Sequence, residues 1–140
     1  MNVVEVTGGK AFERNIVEQT VAFCIGKMMP RLRTLDIEVK IKPLKDALGY
    51  CLEGDTNRNF ELEIKSGLGL YDLISTVCHE MVHVKQYARK EIWVDKEWNQ
   101  RWKKSRVAST TEYMDLPWEK EAYRQERELA IECFESMCSY

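Results

Sequence analysis

The sequence lacks the cysteine pattern of a disulfide scaffold or of a four-cysteine zinc knuckle. Its five cysteines are an odd number, and no two of them form a C-x-x-C pair. Both architectures are therefore disfavoured. We expect most of the thiols to pack as small side chains of the hydrophobic core, and for Cys78, next to His79, we favour packing over metal binding.

Long hydrophobic runs are also missing. No stretch of about 18 apolar residues occurs, so we expect no transmembrane helix and no membrane partner. The N-terminal segment MNVVEVTGGKAFERN has neither the basic start nor the apolar run of a secretory signal. We therefore expect a cytoplasmic protein.

Charge of one sign is scarce as well, since 21 Lys and Arg face 23 Asp and Glu. This near balance argues against a protein that mainly coats nucleic acid. The length of 140 residues, of which 44% are hydrophobic, is enough for a real core. We expect a single domain over residues 1–140.

Hydrophobic periodicity predicts both helices and strands. Apolar residues at three- and four-residue steps mark helices, and strict alternation with charged residues marks strands. The predicted helices are 10–30, 70–89 and 117–137. The predicted strands are 35–41, 60–65 and, more weakly, 3–6. We interpret segment 49–59 as turns and segment 91–106 as helix and loop, so the fold class is α+β.

The only two histidines of the chain lie four residues apart, in the motif His79-Glu80-Met81-Val82-His83. Residues at this spacing project from one face of a helix. Two imidazoles so placed can reach one zinc ion, each at about 2.0–2.1 Å. Glu80 then lies near the open side of the metal, where it can act as general base on the attacking water and pass the proton to the leaving amine.

The H-E-x-x-H motif, on a helix that follows a strand pair, resembles the zincin metallopeptidases, including small phage-type members. The resemblance implies a minimal zincin-like fold: a small sheet, an N-terminal helix, an active-site helix and a C-terminal glutamate helix. It also implies that the last strand before the active-site helix, Phe60–Lys65, is a sheet edge that holds extended substrate.

The third metal ligand decides the zincin subgroup. Metzincins and SprT-type proteins use a third histidine, and this chain has none left. The segment PWEKEA at 117–122 resembles the E-x-x-A signature of gluzincins. That likeness implies Glu119 as the third zinc ligand and Ala122 as its small neighbour. Gluzincins often place Asp or Asn after the alanine to orient a metal-bound histidine, whereas this chain has Tyr123.

A helical projection of the last helix bears on the same choice. At 100° per residue, Glu119 and Glu126 share the broad apolar face, and Glu121 lies on the far side. A carboxylate on an apolar face must be paired or bound to metal. Glu126 is thus the rival ligand, or else a buried partner of an arginine or of a metal-bound histidine. We expect Glu121 to be exposed and dispensable.

Basic and aromatic residues interleave between Trp93 and Arg106. Such a pattern can bind single-stranded nucleic acid by stacking and charge. It also fits an amphipathic helix with Trp98 and Trp102, four residues apart, turned inward. A short charge run is usually a solvated face, so we adopt the helix, and nucleic-acid binding is not favoured.

These observations predict a zinc-dependent peptidase that acts on a peptide or protein substrate. The alternative is a zinc-stabilised binding or regulatory module without turnover, including one associated with nucleic acid. Glu80 favours the enzyme, because a structural zinc site needs no general base and closes with a fourth protein ligand. The gluzincin resemblance also implies a donor to the oxyanion. The tyrosine candidates are Tyr71, Tyr87, Tyr113 and Tyr123.

Overall fold

Three long helices and two small β-sheets make up residues 1–138, the part of the chain that the computed structural model describes. The predicted α+β class is confirmed. The helices are α1 (Ala11–Met28), α2 (Leu70–Ala88) and α3 (Pro117–Cys138). The strands are β1 (Val3–Gly8), β2 (Asp36–Lys42), β3 (Gly49–Glu53), β4 (Asn59–Lys65), β5 (Ile92–Val94), β6 (Gln100–Trp102) and β7 (Ser105–Val107). A 3-10 turn, Tyr113–Asp115, precedes α3.

The larger sheet has the strand order β1-β2-β4-β3. Strands β1, β2 and β4 are parallel, while β3 runs antiparallel to β4 and ends the sheet. The prediction that Phe60–Lys65 is the edge is therefore wrong, because β4 has a neighbour on both sides. The edge strand lies in the segment interpreted as turns. Its short apolar stretch is hidden in the sequence by the turn residues Gly54, Asp55 and Asn57 that follow it.

One face of this sheet is apolar and the other is charged. The outer face carries cross-strand ion pairs, Lys40 with Glu61 at 3.2 Å and Lys42 with Glu63 at 2.8 Å. The inward side chains of β2 and β4 are β-branched, leucine or aromatic, as a half-buried sheet favours. They are Ile37, Val39, Ile41, Phe60, Leu62 and Ile64, all buried.

Helices α1 and α2 cover the apolar face, and α3 packs against α2. Cys24 of α1 and Cys78 of α2 are fully buried, with their sulfur atoms 3.7 Å apart. Helix α2 is enclosed by the sheet, α1 and α3, so from Thr76 to Gln86 even its polar side chains are buried. Those polar groups need partners on neighbouring elements, because a buried polar group without a hydrogen bond is costly. None of the three described helices has the length and apolarity that a membrane crossing requires.

The segment 90–107, which we call the meander, forms the second sheet, with β5, β6 and β7 in antiparallel order. The prediction of helix and loop here is wrong. Its turns use left-handed backbone at Lys90, Trp98 and Lys103, with φ of 57°, 68° and 55°. Trp98 is 87% exposed rather than turned inward. The four-residue spacing of Trp98 and Trp102 therefore does not reflect a helix in this segment.

Candidate metal centre

Helices α2 and α3 bring His79, His83 and Glu119 together. Their ligand atoms all lie within 4.8 Å of one another. Both imidazole Nε2 atoms lie 3.2 Å from Oε1 of Glu119. All three side chains are buried. The sequence predicted this trio, and the structure assembles it as a group that could hold a metal ion.

The local sequence explains the convergence. His79 and His83 are four residues apart on α2, so both face α3. Glu119 lies in the first turn of α3, which Pro117 opens. Ala122, one turn on, is fully buried in the core. Its small side chain lets α3 approach α2 closely enough for the Glu119 carboxylate to reach both imidazoles.

His79 is oriented by a second carboxylate. Its Nδ1 lies 2.9 Å from Oε1 of Glu126, and the Tyr123 ring packs against the imidazole at a centroid distance of 4.5 Å. In metal sites such a carboxylate fixes the tautomer, so that Nε2 points at the metal. The gluzincin pattern would put this carboxylate at position 123. Here Glu126, one helical turn later, makes the contact instead.

His83 is oriented by an amide that the sequence reasoning missed. Its Nδ1 lies 2.8 Å from Oε1 of Gln86, which is fully buried. The Gln86 amide in turn donates to the Trp118 carbonyl and to Oε1 of Glu121, each at 3.0 Å. The sequence carried one signal for this contact. It is a glutamine three residues after the second histidine, in the part of α2 that is buried from Thr76 to Gln86.

Glu121 is not exposed, so that prediction is wrong. Only 8% of the residue is accessible, and its carboxylate accepts from Lys85 Nζ at 2.6 Å. Lys85 also contacts Glu91 at 2.9 Å. Burial raises the pKa of Glu121, but the hydrogen bonds from Lys85 and Gln86 outweigh it and lower the pKa below its usual range. Glu121 therefore balances a buried lysine at the helix interface.

Glu80 faces the other side of the site, toward the start of β3. Burial raises its pKa, against the opposing charges of His83 and His79. Among residues 1–138, none donates a hydrogen bond to this carboxylate. A Cβ added at Gly49 would lie 3.2 Å from Oε2 of Glu80. The glycine thus keeps space open beside the carboxylate.

The Glu119 carboxylate is anionic, and a cation bound at the trio would displace the proton that this carboxylate helps to hold on His79. Burial raises the pKa of Glu119, but hydrogen bonds from His79 and His83 outweigh it and hold the pKa at about 2. Burial lowers the pKa of His79, yet its hydrogen bonds with Glu119 and Glu126 raise it to about 9. Two imidazole nitrogens and an anionic oxygen therefore converge, and each ring is fixed through its other nitrogen. This donor set fits a divalent metal ion.

The trio lies at the wall of an open cleft of about 560 Å³. Segment 46–51, which includes the first residues of β3, forms one side, and α2 and α3 form the other. No Lys or Arg of the described chain lines the cleft, and its carboxyl side chains belong to Asp46, Glu80, Glu119 and Glu126. The aromatic lining residues are Tyr50, Tyr87, Tyr113, Trp118 and Tyr123.

The tyrosine candidates separate by position. Tyr113 donates to Oε1 of Glu119 at 3.0 Å. Burial, a hydrogen bond with Tyr123 and the negative charge of Glu119 raise the pKa of Tyr113. Tyr87 and Tyr123 also line the cleft, whereas Tyr71 does not and is 48% exposed. Tyr113 is thus the tyrosine whose hydroxyl bonds to the trio, while Tyr123 contacts it through its ring.

No family model, curated protein or solved structure matches this chain. The site geometry and the chemistry of its residues are therefore the grounds on which a function can be argued.

Proposed function

We propose that this protein is a zinc-dependent peptidase of gluzincin type, with His79, His83 and Glu119 as metal ligands. The observation that carries the proposal is the convergence of both Nε2 atoms on Oε1 of Glu119 at 3.2 Å, with Glu80 adjacent on the same helix. When bound, zinc would polarise the scissile carbonyl and lower the pKa of a water.

Glu80 is the proposed general base. Its carboxylate takes a proton from the attacking water and delivers it to the leaving amine. A raised pKa suits this exchange, because a group that both accepts and releases a proton works best with a pKa near the working pH. The room beside Gly49 is where we place the reacting atoms.

Strand β3 is the proposed substrate-binding edge. Gly49, Tyr50 and Cys51 belong to the edge strand and also line the cleft. An extended peptide can add to such an edge by main-chain hydrogen bonds, which fix its register whatever its side chains. The role that the zincin resemblance assigned to Phe60–Lys65 thus passes to the strand next to it.

The lining also bears on the substrate class. Carboxylates without any described Lys or Arg disfavour acidic side chains in the cleft, since like charges repel. Tyrosine and tryptophan walls favour apolar or aromatic side chains. We propose neutral or basic peptides as substrates, with the Tyr113 hydroxyl as donor to the developing oxyanion.

The test uses the zinc-loaded protein and a library of quenched fluorescent peptides. Glu80→Gln keeps the shape of the side chain and removes the base, so we expect peptide cleavage to fall at least about 100-fold while zinc content is unchanged. Glu128→Gln, an exposed carboxylate on α3, is the matched control and should cleave normally. Zinc binding without any cleavage by the wild-type protein would support the alternative of a binding or regulatory module.

A further inference from the structure

One tryptophan of the meander has an uncommon backbone conformation and a side chain that is not buried in the fold. Trp98 has φ 68° and is 87% exposed. Left-handed backbone is uncommon for a bulky residue, and an indole in water contributes no burial to stability. All three non-glycine residues with positive φ in residues 1–138 belong to this segment. Such outliers point to function.

Hydrogen bonds hold the turn that carries Trp98 in a defined conformation. The Asp95 carboxylate accepts from the backbone N–H groups of Glu97 and Asn99 at 3.0 and 2.9 Å. It also accepts from Arg101 Nε at 2.9 Å, and the Trp98 N–H donates to the Asp95 carbonyl at 3.0 Å. These bonds fix the backbone that holds the indole outward.

The meander is also locally basic. Residues 90–107 contain six Lys or Arg and three Asp or Glu, on a chain with a formal net charge of -2. Two of the three anions, Glu91 and Asp95, are ion-paired with Lys85 and Arg101. The remaining cations are Lys90, Lys96, Lys103, Lys104 and Arg106.

A second exposed indole, that of Trp93, lies on β5 of the meander. Strand register aligns Trp93, Arg101 and Arg106 across the three strands. Trp93 is 40% exposed, and its Nε1 donates to the Lys103 carbonyl at 2.7 Å. The meander therefore offers two aromatic rings among cationic side chains on one small, hydrogen-bonded scaffold.

We propose that the meander binds single-stranded nucleic acid, with bases stacked on Trp98 and Trp93 and phosphates contacted by the surrounding lysines and Arg106. Every base offers a π face, and cations along a strand neutralise its phosphates. One of the sequence arguments against this partner assumed a helix with Trp98 packed inward, and that assumption is wrong. An acidic peptide would match the charge but would leave the exposed indoles without stacking partners.

The test measures fluorescence anisotropy of a labelled oligothymidylate of about 15 nucleotides with the zinc-loaded protein at several salt concentrations. We expect binding that weakens as salt rises, because neutralised phosphates release counterions. Trp98→Ala should weaken binding at least about 5-fold, and Trp98→Phe should retain most of it. The double change Lys103→Gln and Lys104→Gln should flatten the salt dependence.

Two variants outside the meander serve as controls. Tyr71→Ala removes an aromatic ring that is 48% exposed, and Lys45→Gln removes an exposed cation; neither should change the affinity. The proposal is overturned if Trp98→Ala binds as tightly as the wild type. It is also overturned if the wild type binds polyglutamate or anionic lipid vesicles more tightly than the oligonucleotide. None of these readouts depends on peptide cleavage.

Discussion

The two histidines of the candidate metal centre are held by different chemistry. His79 contacts a carboxylate, Glu126, whose side chain is 21% exposed. His83 contacts a neutral amide, Gln86, which is fully buried. The first partner brings negative charge to the imidazole from the rim of the cleft. The second ties its imidazole into the packed interface between α2 and α3.

The two partners affect two different properties of a histidine, the basicity of its imidazole and the orientation of its ring. A carboxylate partner raises the basicity of a metal-bound histidine. An amide fixes the ring by geometry alone, and Gln86 also bonds to Trp118 and Glu121. We therefore expect the His79 side of the site to be tuned by charge and the His83 side to be tuned by packing.

Removing the ligand that both sides share should have the largest effect. Glu119→Ala takes away the carboxylate that lies 3.2 Å from both imidazoles, and leaves two of the three ligands that a catalytic zinc needs. We expect zinc affinity, measured by competition with a chromogenic chelator, to fall by more than about 100-fold. If Glu126→Ala lost more affinity than Glu119→Ala, the two glutamates would have to exchange roles.

The next effect tests the comparison itself. Glu126→Gln removes the negative charge of the partner of His79 and keeps an acceptor, whereas Gln86→Leu removes the partner of His83 altogether, and both should weaken zinc binding by about 10–100-fold. Only Gln86→Leu should also destabilise the metal-free fold, by about 1–3 kcal/mol, because it leaves buried polar groups without a partner. Urea unfolding in the presence of a chelator measures this. If Glu126→Gln lowered the free energy of unfolding more than Gln86→Leu does, packing would act at His79 and charge at His83.

Local patterns in the sequence were enough to predict the helices and the candidate trio of His79, His83 and Glu119. The periodicity around His79 and His83 marked α2, since a helix repeats its faces whatever surrounds it. Glu119 was found through the resemblance of the segment 117–122 to a second local motif, the E-x-x-A signature. These features depend on residues within a few turns of one another.

The predictions that were wrong concern features that depend on contacts between distant segments. A helical projection assigns one inner face to α3, whereas Glu121 lies against Lys85, 36 positions earlier in the chain. The prediction for the meander was wrong for a related reason. Its turns are set by Asp95 and by left-handed backbone at Trp98, and no Gly or Pro in the sequence marks these turns. Strand β3 is too short to show its alternation clearly.

The last prediction concerns Glu121, which joins Gln86 and Lys85 behind His83. Its pKa is lowered in the folded protein because hydrogen bonds from Lys85 and Gln86 outweigh the effect of burial. A carboxylate with a depressed folded pKa contributes stability above its unfolded pKa, about 4.3, and loses it as pH falls through the folded value. Glu121→Gln should therefore cost about 1.5–3 kcal/mol at neutral pH.

The difference in free energy of unfolding between the wild type and Glu121→Gln should narrow steadily below about pH 4.3. The carboxyl is then protonated first in the unfolded state and, below its depressed pKa, in the folded state as well. Urea unfolding of both metal-free proteins across this pH range measures it. Glu132→Gln is the control, since Glu132 forms an ion pair with Lys27 at 2.7 Å but is 45% exposed, and such pairs contribute about 0–1 kcal/mol. A pH-independent gap, or one no larger than that of Glu132→Gln, would show that the buried charge pair does not stabilise the His83 side of the site.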